Sequence, residues 1–286
     1  MGRIAAVVVP YELGRLREGV GRGPERLLEL GAEAALASNG AVVSTDVIEL
    51  DARYGATGLG EGDAAFELIR LVADRVRAAR AEGAFPVVLS GSCFAAVGVV
   101  AGLDEPSPGV VWFDAHADFN EPATTISGYF DGMGLAVLTG SAWQALLATV
   151  PGARPVPESA VVLAGARALD PPEETRLRAS RIAHLTAAQL HSPETLAEAV
   201  GGLVPEVTGL YVHVDLDVLD AAVADVNIYG APGGPDADQL DALVAALLEA
   251  FPVRAVSLTA YDPAFDGTDR VPPIALRLLR TIAQSV

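Results

Sequence analysis

The sequence predicts an α/β protein of three layers, in which helices cover both faces of a mainly parallel sheet. Short apolar runs recur along the chain, most of them continuous rather than alternating, and longer helix-like stretches separate them. A strand covered on both faces of a parallel sheet has no polar side, so its sequence is apolar throughout. Alternation of such strands with helices is typical of βαβ units and of a helix–sheet–helix sandwich.

The apolar patterns give the ranges of the predicted strands and helices, and the residues at two helix N-termini support them. Pro24 suits the first turn of the first helix, and Asp236 is a suitable N-cap for the last. No internal repeat, linker or low-complexity segment interrupts the pattern, so we expect a single domain over residues 1–286. The predicted strands are residues 4–9, 41–48, 86–89, 109–113, 160–164, 209–214 and 255–258, and the predicted helices are residues 24–38, 63–82, 141–149, 187–200 and 236–251.

Composition excludes several classes of function. The net charge is −18 and the chain has no lysine, so no basic surface is available to neutralise phosphates, and we expect no nucleic-acid partner. No apolar stretch is long enough for a spanning helix, and the first residues lack the features of a secretion signal, so we expect no membrane partner and a cytoplasmic location. The single cysteine, Cys93, leaves no intrachain disulfide.

Four predicted strands end in residues that carry chemistry. Ligands bind beyond the carboxyl ends of the strands in open parallel sheets. Asp215 and Asp217 follow the strand at 209–214, and alternation along a strand would place both on one face. Crowded carboxylates cost free energy unless a cation or a proton lies between them. The four strand ends carry Ser90-Gly91-Ser92-Cys93, Asp114-Ala115-His116-Ala117-Asp118, Asp215-Leu216-Asp217 and Thr259-Ala260-Tyr261-Asp262.

The donors predict the kind of metal. Asp114, Asp118, Asp215, Asp217 and His116 offer four carboxylates and one imidazole. Such hard, oxygen-rich sets suit Mn²⁺ or Mg²⁺ better than structural zinc. Four negative charges match two divalent ions, and a bridged pair of metals is used in hydrolysis to activate water.

The motifs resemble those of the ureohydrolases, the manganese-dependent family of arginase, agmatinase and formimidoylglutamase. The resemblance spans nearly the whole chain. It implies an arginase-like sheet of about eight strands, a dimanganese centre and hydrolysis of a guanidino, amidino or formimino C–N bond in a small-molecule substrate. A homo-oligomer, trimer or hexamer, is also implied. The segments that carry it are PYELGRLREGVGRGPERLLELG, LSGSCFAAVG, WFDAHADFN, HVDLDVLDA with Ala221 in place of a proline, GAPGGPD and LTAYDP.

The resemblance also implies roles for single residues. Asp114 and Asp215 would bridge both metals. Asp118 would complete the first metal site, and His116 and Asp217 the second, where Asp217 would also orient the attacking water. Asp170 would help bind the amino group of the substrate, while Asn120 and Ser127 would contact its distal end.

Three residues depart from the family pattern. Cys93 replaces a metal-binding histidine; it is either a ligand that suits manganese poorly or a buried neutral thiol. Asp131 replaces a histidine that is thought to carry protons, and an aspartate does this near neutral pH only if burial raises its pKa. Ala260 replaces a glutamate that pairs with the guanidinium, so the contact is lost and arginine is not the expected substrate.

His213 precedes Asp215 by two residues, which would place it on the same strand face. It is a candidate proton carrier or substitute ligand, and the alternative is a core histidine beneath the site. Three functions follow as hypotheses. The first is a metal-dependent hydrolase, the second is a binding or regulatory protein with a depleted metal site, and the third is a metal-free structural relative.

Overall fold

A computed structural model describes residues 2–56, 60–203 and 206–286. Its centre is an eight-stranded sheet in which every neighbouring pair is parallel. The strand order is β2-β1-β3-β8-β7-β4-β5-β6. The strands are β1 (Arg3–Val9), β2 (Val42–Val47), β3 (Phe85–Ser90), β4 (Pro108–Phe113), β5 (Val161–Ala164), β6 (Ala183–Leu185), β7 (Gly209–Asp215) and β8 (Val253–Thr259).

Helices cover both faces of the sheet, so the predicted three-layer α/β/α class is confirmed. One face packs against α4, α5 and α6, and the other against α1, α2, α9, α10 and α11. The helices are α1 (Gly23–Glu29), α2 (Ala32–Leu36), α3 (Arg53–Ala56), α4 (Glu61–Ala81), α5 (Ala96–Leu103), α6 (Gly134–Leu138), α7 (Gln144–Leu147), α8 (Pro171–Ala179), α9 (Pro193–Gly201), α10 (Ala237–Ala250) and α11 (Val271–Gln284).

Local sequence explains where several helices begin. Asp236 caps α10, since its side chain accepts from the backbone N–H groups of Asp238 and Gln239. The helix predicted at 24–38 is divided instead into α1 and α2, because Gly31 lies between them with a φ of 105°. The helix predicted at 187–200 begins only at Pro193, after the Ser192 cap.

All seven predicted strands are present, but the eighth strand and several helices were not predicted. β6 has three residues, too few for a pattern. α5 is entirely buried, so its apolar, valine-rich sequence has no periodicity. None of the helices in the described ranges is both long and apolar enough to cross a membrane.

The strand order sets the position of the candidate site. β8 and β7 occur last in the chain but lie at the middle of the sheet, between β3 and β4. Because all four strands are parallel, their carboxyl ends meet at one edge. The four segments singled out in the sequence follow these strands.

Candidate metal centre

A cavity of about 300 Å³ opens at the carboxyl ends of β3, β8, β7 and β4. Most of the predicted site residues line it, which brings together positions that are far apart in the sequence. Asp114 and His213 do not line the cavity and are buried within the protein. The predicted residues in the wall are Cys93, His116, Asp118, Asn120, Ser127, Asp131, Asp170, Asp215 and Asp217.

Asp114, directly after β4, has both carboxylate oxygens in hydrogen bonds. The indole Nε1 of Trp112 donates to Oδ2 at 2.9 Å, and the backbone N–H of His116 donates to Oδ1 at 2.7 Å. The first bond reaches from the preceding strand residue on the same face, and the second closes a tight turn. Asp114 is thus fixed below the cavity.

Asp217 lies in a short 3₁₀ turn, Leu216–Val218, rather than on a continued strand. The alternation argument for Asp215 and Asp217 is therefore wrong, although both carboxylates reach the cavity. Oδ1 of Asp215 accepts from the backbone N–H of Asp217 at 2.7 Å, which holds the turn closed. Asn227 donates to Oδ2 of Asp217 at 3.1 Å.

His116 lies between two carboxylates. Its Nδ1 is 3.2 Å from Oδ1 of Asp114 and 3.5 Å from Oδ2 of Asp217. Burial lowers the pKa of His116, but hydrogen bonds and the charges of these two aspartates outweigh it and raise the pKa to about 12. In turn, burial raises the pKa of Asp217, and the contact with His116 lowers it to about 2.

Burial and neighbouring carboxylates disfavour the charged forms of Asp114, Asp118 and Asp215. Burial, followed by the charge of Asp217, raises the pKa of both Asp114 and Asp215. Burial, and then the charge of Asp114, raises the pKa of Asp118 well above its ordinary value. The common cause is the crowding of anions out of water, which a cation would relieve.

Asp118 has a left-handed backbone, with a φ of 48°. Its carbonyl oxygen accepts from the N–H groups of Leu135 and Ala136, so the strained residue is anchored to α6. The residue is 8% exposed, and among the described residues its carboxylate has neither a hydrogen-bond nor an ion-pair partner, so only the cavity that it lines can solvate it. A buried carboxylate without a partner is costly unless a cation binds it.

Cys93 is buried and its thiol donates to Oδ2 of Asp215 at 2.9 Å. Burial, and then the charge of Asp215, raises the pKa of this thiol. The carboxylate of Asp131 accepts from the backbone N–H groups of Cys93 and Phe94 at 3.2 and 2.8 Å. Burial raises the pKa of Asp131 to about 7, although these two N–H groups oppose the change.

His213 is fully buried. Its ring stacks on Trp112, with centroids 3.8 Å apart and planes at 22°. Nδ1 is 3.0 Å from the Tyr211 hydroxyl, and Nε2 is 3.4 Å from Oγ1 of Thr259. Burial lowers the pKa of His213 to about 3, so its ring is neutral.

Asn120, Ser127 and Asp170, which are expected to contact the substrate, all line the cavity. Nδ2 of Asn120 donates to Oδ2 of Asp170 at 3.1 Å. Asp170 also caps α8 in a capping box with Glu173, whose carboxylate accepts from the N–H groups of Phe119 and Asp170. Sequence reasoning missed Glu173, although D-P-P-E is a capping-box pattern that could have revealed it.

Two tyrosines form a further wall that the sequence did not reveal. The rings of Tyr129 and Tyr229 stack with centroids 5.8 Å apart, and both line the cavity. The Tyr129 hydroxyl donates to Glu12 at 3.0 Å, and Tyr229 meets the His116 ring edge to face at 6.2 Å. Ala260 lies across the same cavity with a φ of 67° and brings no charge.

Two groups of donors could hold metal ions. The outer cluster, Asp114, His116 and Asp217, offers oxygen and nitrogen atoms within 4.8 Å of one another, and this set fits a hard ion such as Mn²⁺. The deep cluster, Cys93, Asp114 and His213, meets the same distance limit but includes a thiol. Its sulfur does not fit Mn²⁺.

Comparison with known proteins agrees with this geometry. The profile described as "Arginase family" matches residues 3–284. The arginase of Bacillus caldovelox is 28% identical over 299 residues, which cover 99% of this chain and 98% of that protein. The crystal structure of arginase from Bacillus cereus has a TM-score of 0.88 at 26% identity, with 98% of each chain covered.

Formimidoylglutamase from Bacillus subtilis shares the fold at 16% identity, with a TM-score of 0.77 and coverage of 100% of this chain and 87% of that one. Fold, cavity and matches together define a hydrolase of the three-layer α/β/α class. The chain belongs to the arginase family, the ureohydrolases.

Proposed function

We propose that the chain is a manganese-dependent hydrolase of linear C–N bonds in guanidino, amidino or formimino compounds, and that arginine is not its ordinary substrate. The observation that carries the proposal is the meeting of His116, Asp118, Asp215 and Asp217 in one cavity above Asp114. The arginases and the formimidoylglutamase among its relatives support this range of substrates.

The outer cluster, with Asp215, would hold one ion, and Asp118, which lines the same cavity, would help hold a second. A bound divalent metal supplies an activated water and polarises the bond to be cleaved. Asp217 would orient this water, and the hydrogen bond from Asn227 fixes the Asp217 carboxylate.

Proton transfer falls to Asp131, which lines the cavity and whose pKa, raised to about 7 by burial, suits exchange near neutral pH. His213 is the second candidate carrier, but neither it nor its neighbour Thr259 lines the cavity, and its lowered pKa suits proton exchange near neutral pH less well than that of Asp131. On the substrate side, Asn120, Ser127 and Asp170 bind the end remote from the cleaved bond.

The test is to remove metal with a chelator, add back Mn²⁺, and screen guanidino, amidino and formimino compounds for released urea, ammonia or formamide. Manganese-dependent release that Asp217→Asn abolishes is the expected result. Two bound ions per chain without release from any compound would contradict the proposed activity.

The alternative is a relative that binds ligands or regulates, with an impaired metal site. Two observations favour it. Ala260 offers no carboxylate to a guanidinium, and the Cys93 thiol donates a hydrogen bond to an oxygen of Asp215 that would otherwise be available to a metal. Metal content after reconstitution separates the two functions, since absence of bound metal eliminates the hydrolase. A homo-oligomer and a cytoplasmic location belong to the proposal, and light scattering tests the first.

A further inference from the structure

The deep cluster, Cys93, Asp114 and His213, joins one sulfur, one oxygen and one nitrogen within 4.8 Å of one another, all of them buried. One of these donors, Cys93, departs from the family pattern, and an imidazole lies beside it. The turn after β3 lacks the histidine of the family it resembles, while β7 carries an imidazole at position 213. The structure brings the thiol and the imidazole to the same place.

The hydrogen bonds of His213 identify which ring nitrogen can bind an ion. The Tyr211 hydroxyl donates to Oγ of Ser257 at 2.8 Å, so its oxygen accepts from Nδ1–H of His213 at 3.0 Å. The proton is therefore on Nδ1, and Nε2 carries a lone pair. Oγ1 of Thr259 lies 3.4 Å from Nε2 and 3.1 Å from the Cys93 sulfur, and an ion bound by both donors would replace these contacts. Metal-binding histidines usually donate their second ring N–H in this way, which fixes the tautomer.

Trp112 fixes two of the three donors. Its indole stacks on the His213 ring, and its Nε1 donates to Oδ2 of Asp114. Neither donor must be ordered when an ion binds, so binding loses little side-chain entropy.

Asp118 gives an independent sign of a cation. The residue is 8% exposed, it lines the same cavity as Cys93, and within the part of the chain that the structure describes only the cavity is available to solvate its carboxylate. The deep cluster itself supplies three donors, and a water molecule would complete the four that zinc prefers.

We propose that the deep cluster binds a thiophilic divalent ion of the Zn²⁺ type, so that the centre holds two different metals, with manganese at the outer cluster. Thiolate and imidazole are preferred zinc ligands, whereas the outer cluster has only oxygen and nitrogen. Cys93 binds as the thiolate, and its proton passes to solvent. The inference rests on the proposed metal centre but does not require that the chain be catalytic.

Sulfur ligation is the measurement that tests the proposal, because zinc binds most sites more tightly than manganese regardless of sulfur. Metal-free full-length protein is loaded with Co²⁺ or Zn²⁺. Cys93 is the only thiol in the chain, so thiolate-to-cobalt charge-transfer absorption reports on it alone. X-ray absorption of the zinc-loaded wild type is expected to show one sulfur at about 2.3 Å.

Variants assign the other donor. Cys93→Ser should abolish the charge-transfer absorption, and His213→Asn should weaken zinc binding at least about tenfold. His184→Asn is the matched control, because His184 hydrogen-bonds to the Ala166 carbonyl outside the cavity and should leave both readouts unchanged.

A wild-type zinc spectrum without sulfur, or a protein that binds no zinc, would overturn the proposal. The wild-type spectrum decides this even where a variant does not fold. Sulfur ligation without hydrolysis of any tested compound would leave the inference standing and contradict the proposed activity. Hydrolysis without sulfur ligation would do the reverse.

Discussion

The side-chain amide of Asn227 donates to Oδ2 of Asp217, the carboxylate oxygen that His116 approaches at 3.5 Å. The same amide donates to the Ala260 carbonyl at 2.9 Å, so one residue joins the turn after β7 to the end of β8.

Asn227→Ala should therefore weaken metal binding at the outer cluster about 10- to 100-fold, the usual cost of losing a partner behind a ligand. Isothermal titration of the metal-free protein with Mn²⁺ measures this. Asn39→Ala removes an amide near the end of α11, and it should leave the manganese affinity unchanged. Equal losses in both variants would contradict a specific role for Asn227.

The free energy of unfolding of the metal-free protein should fall as pH rises from about 4 to 7. Burial raises the folded-state pKa of Asp131 to about 7 from an ordinary 3.8, and Asp118 and Asp215 are raised as well. A group with a raised folded pKa stabilises the fold below its unfolded pKa, and this contribution is lost as pH rises through the folded value. Asp217 has a lowered pKa and matters only below about pH 4. The pKa of His213, lowered to about 3 from 6.5, gives a contribution that rises with pH up to about 6.5, and the three raised carboxyl groups together outweigh it.

Denaturant unfolding at pH 4.5 and 7.5 should show a loss of at least about 1.4 kcal/mol, which corresponds to one pKa unit. Mn²⁺ should reduce this difference, because it neutralises the same carboxylates, and Asp131→Asn should reduce it without metal. Stability that increases over this range would contradict the prediction.

Tyr229→Ala should raise KM for a cationic amidine about 3- to 30-fold with a smaller change in kcat. A delocalised cation against a tyrosine face gains roughly 0.5–2 kcal/mol, and that contact is present before and during the reaction. Tyr229→Phe keeps the ring and should retain the wild-type KM. A drop in kcat alone would place Tyr229 in the chemical step instead.

Ala260→Glu should strengthen binding of a guanidinium ligand about 10- to 100-fold, since a charge-assisted hydrogen bond contributes roughly 1.5–3 kcal/mol. Ala260→Gln has nearly the same shape without the charge and is the control. Competition binding with guanidinium compounds gives both affinities. If the two variants bind equally well, size rather than charge controls this position.

The sheet could be predicted because its strands are buried on both faces and their sequences are continuously apolar. β6 could not be, since three residues with a half-buried His184 give no pattern. α11 also escaped prediction. It begins with Val271 followed by two prolines, which read as a break in the sequence but are tolerated in a first helical turn.

The acidic motifs after β4 and β7 were recognisable because their residues are close in sequence. Asn227 and Tyr229 were not, because their importance depends on contacts with Asp217 and Tyr129 that only the folded chain creates. The position of Asp217 was predicted on a wrong premise: the backbone turns at Leu216, where strand alternation would have continued.

The strand order also has a consequence for how the protein is made. β3 and β4 follow each other in the chain but are separated in the sheet by the positions of two strands. β7 and β8 can fill these positions only when residues 209–259 have left the ribosome. Until then Asp114 and Cys93 belong to an incomplete sheet with unpaired edges that can aggregate. We therefore expect nascent chains arrested before residue 209 to bind no manganese and to depend on chaperones, whereas a chain released past residue 260 acquires its metal ligands in a single late step.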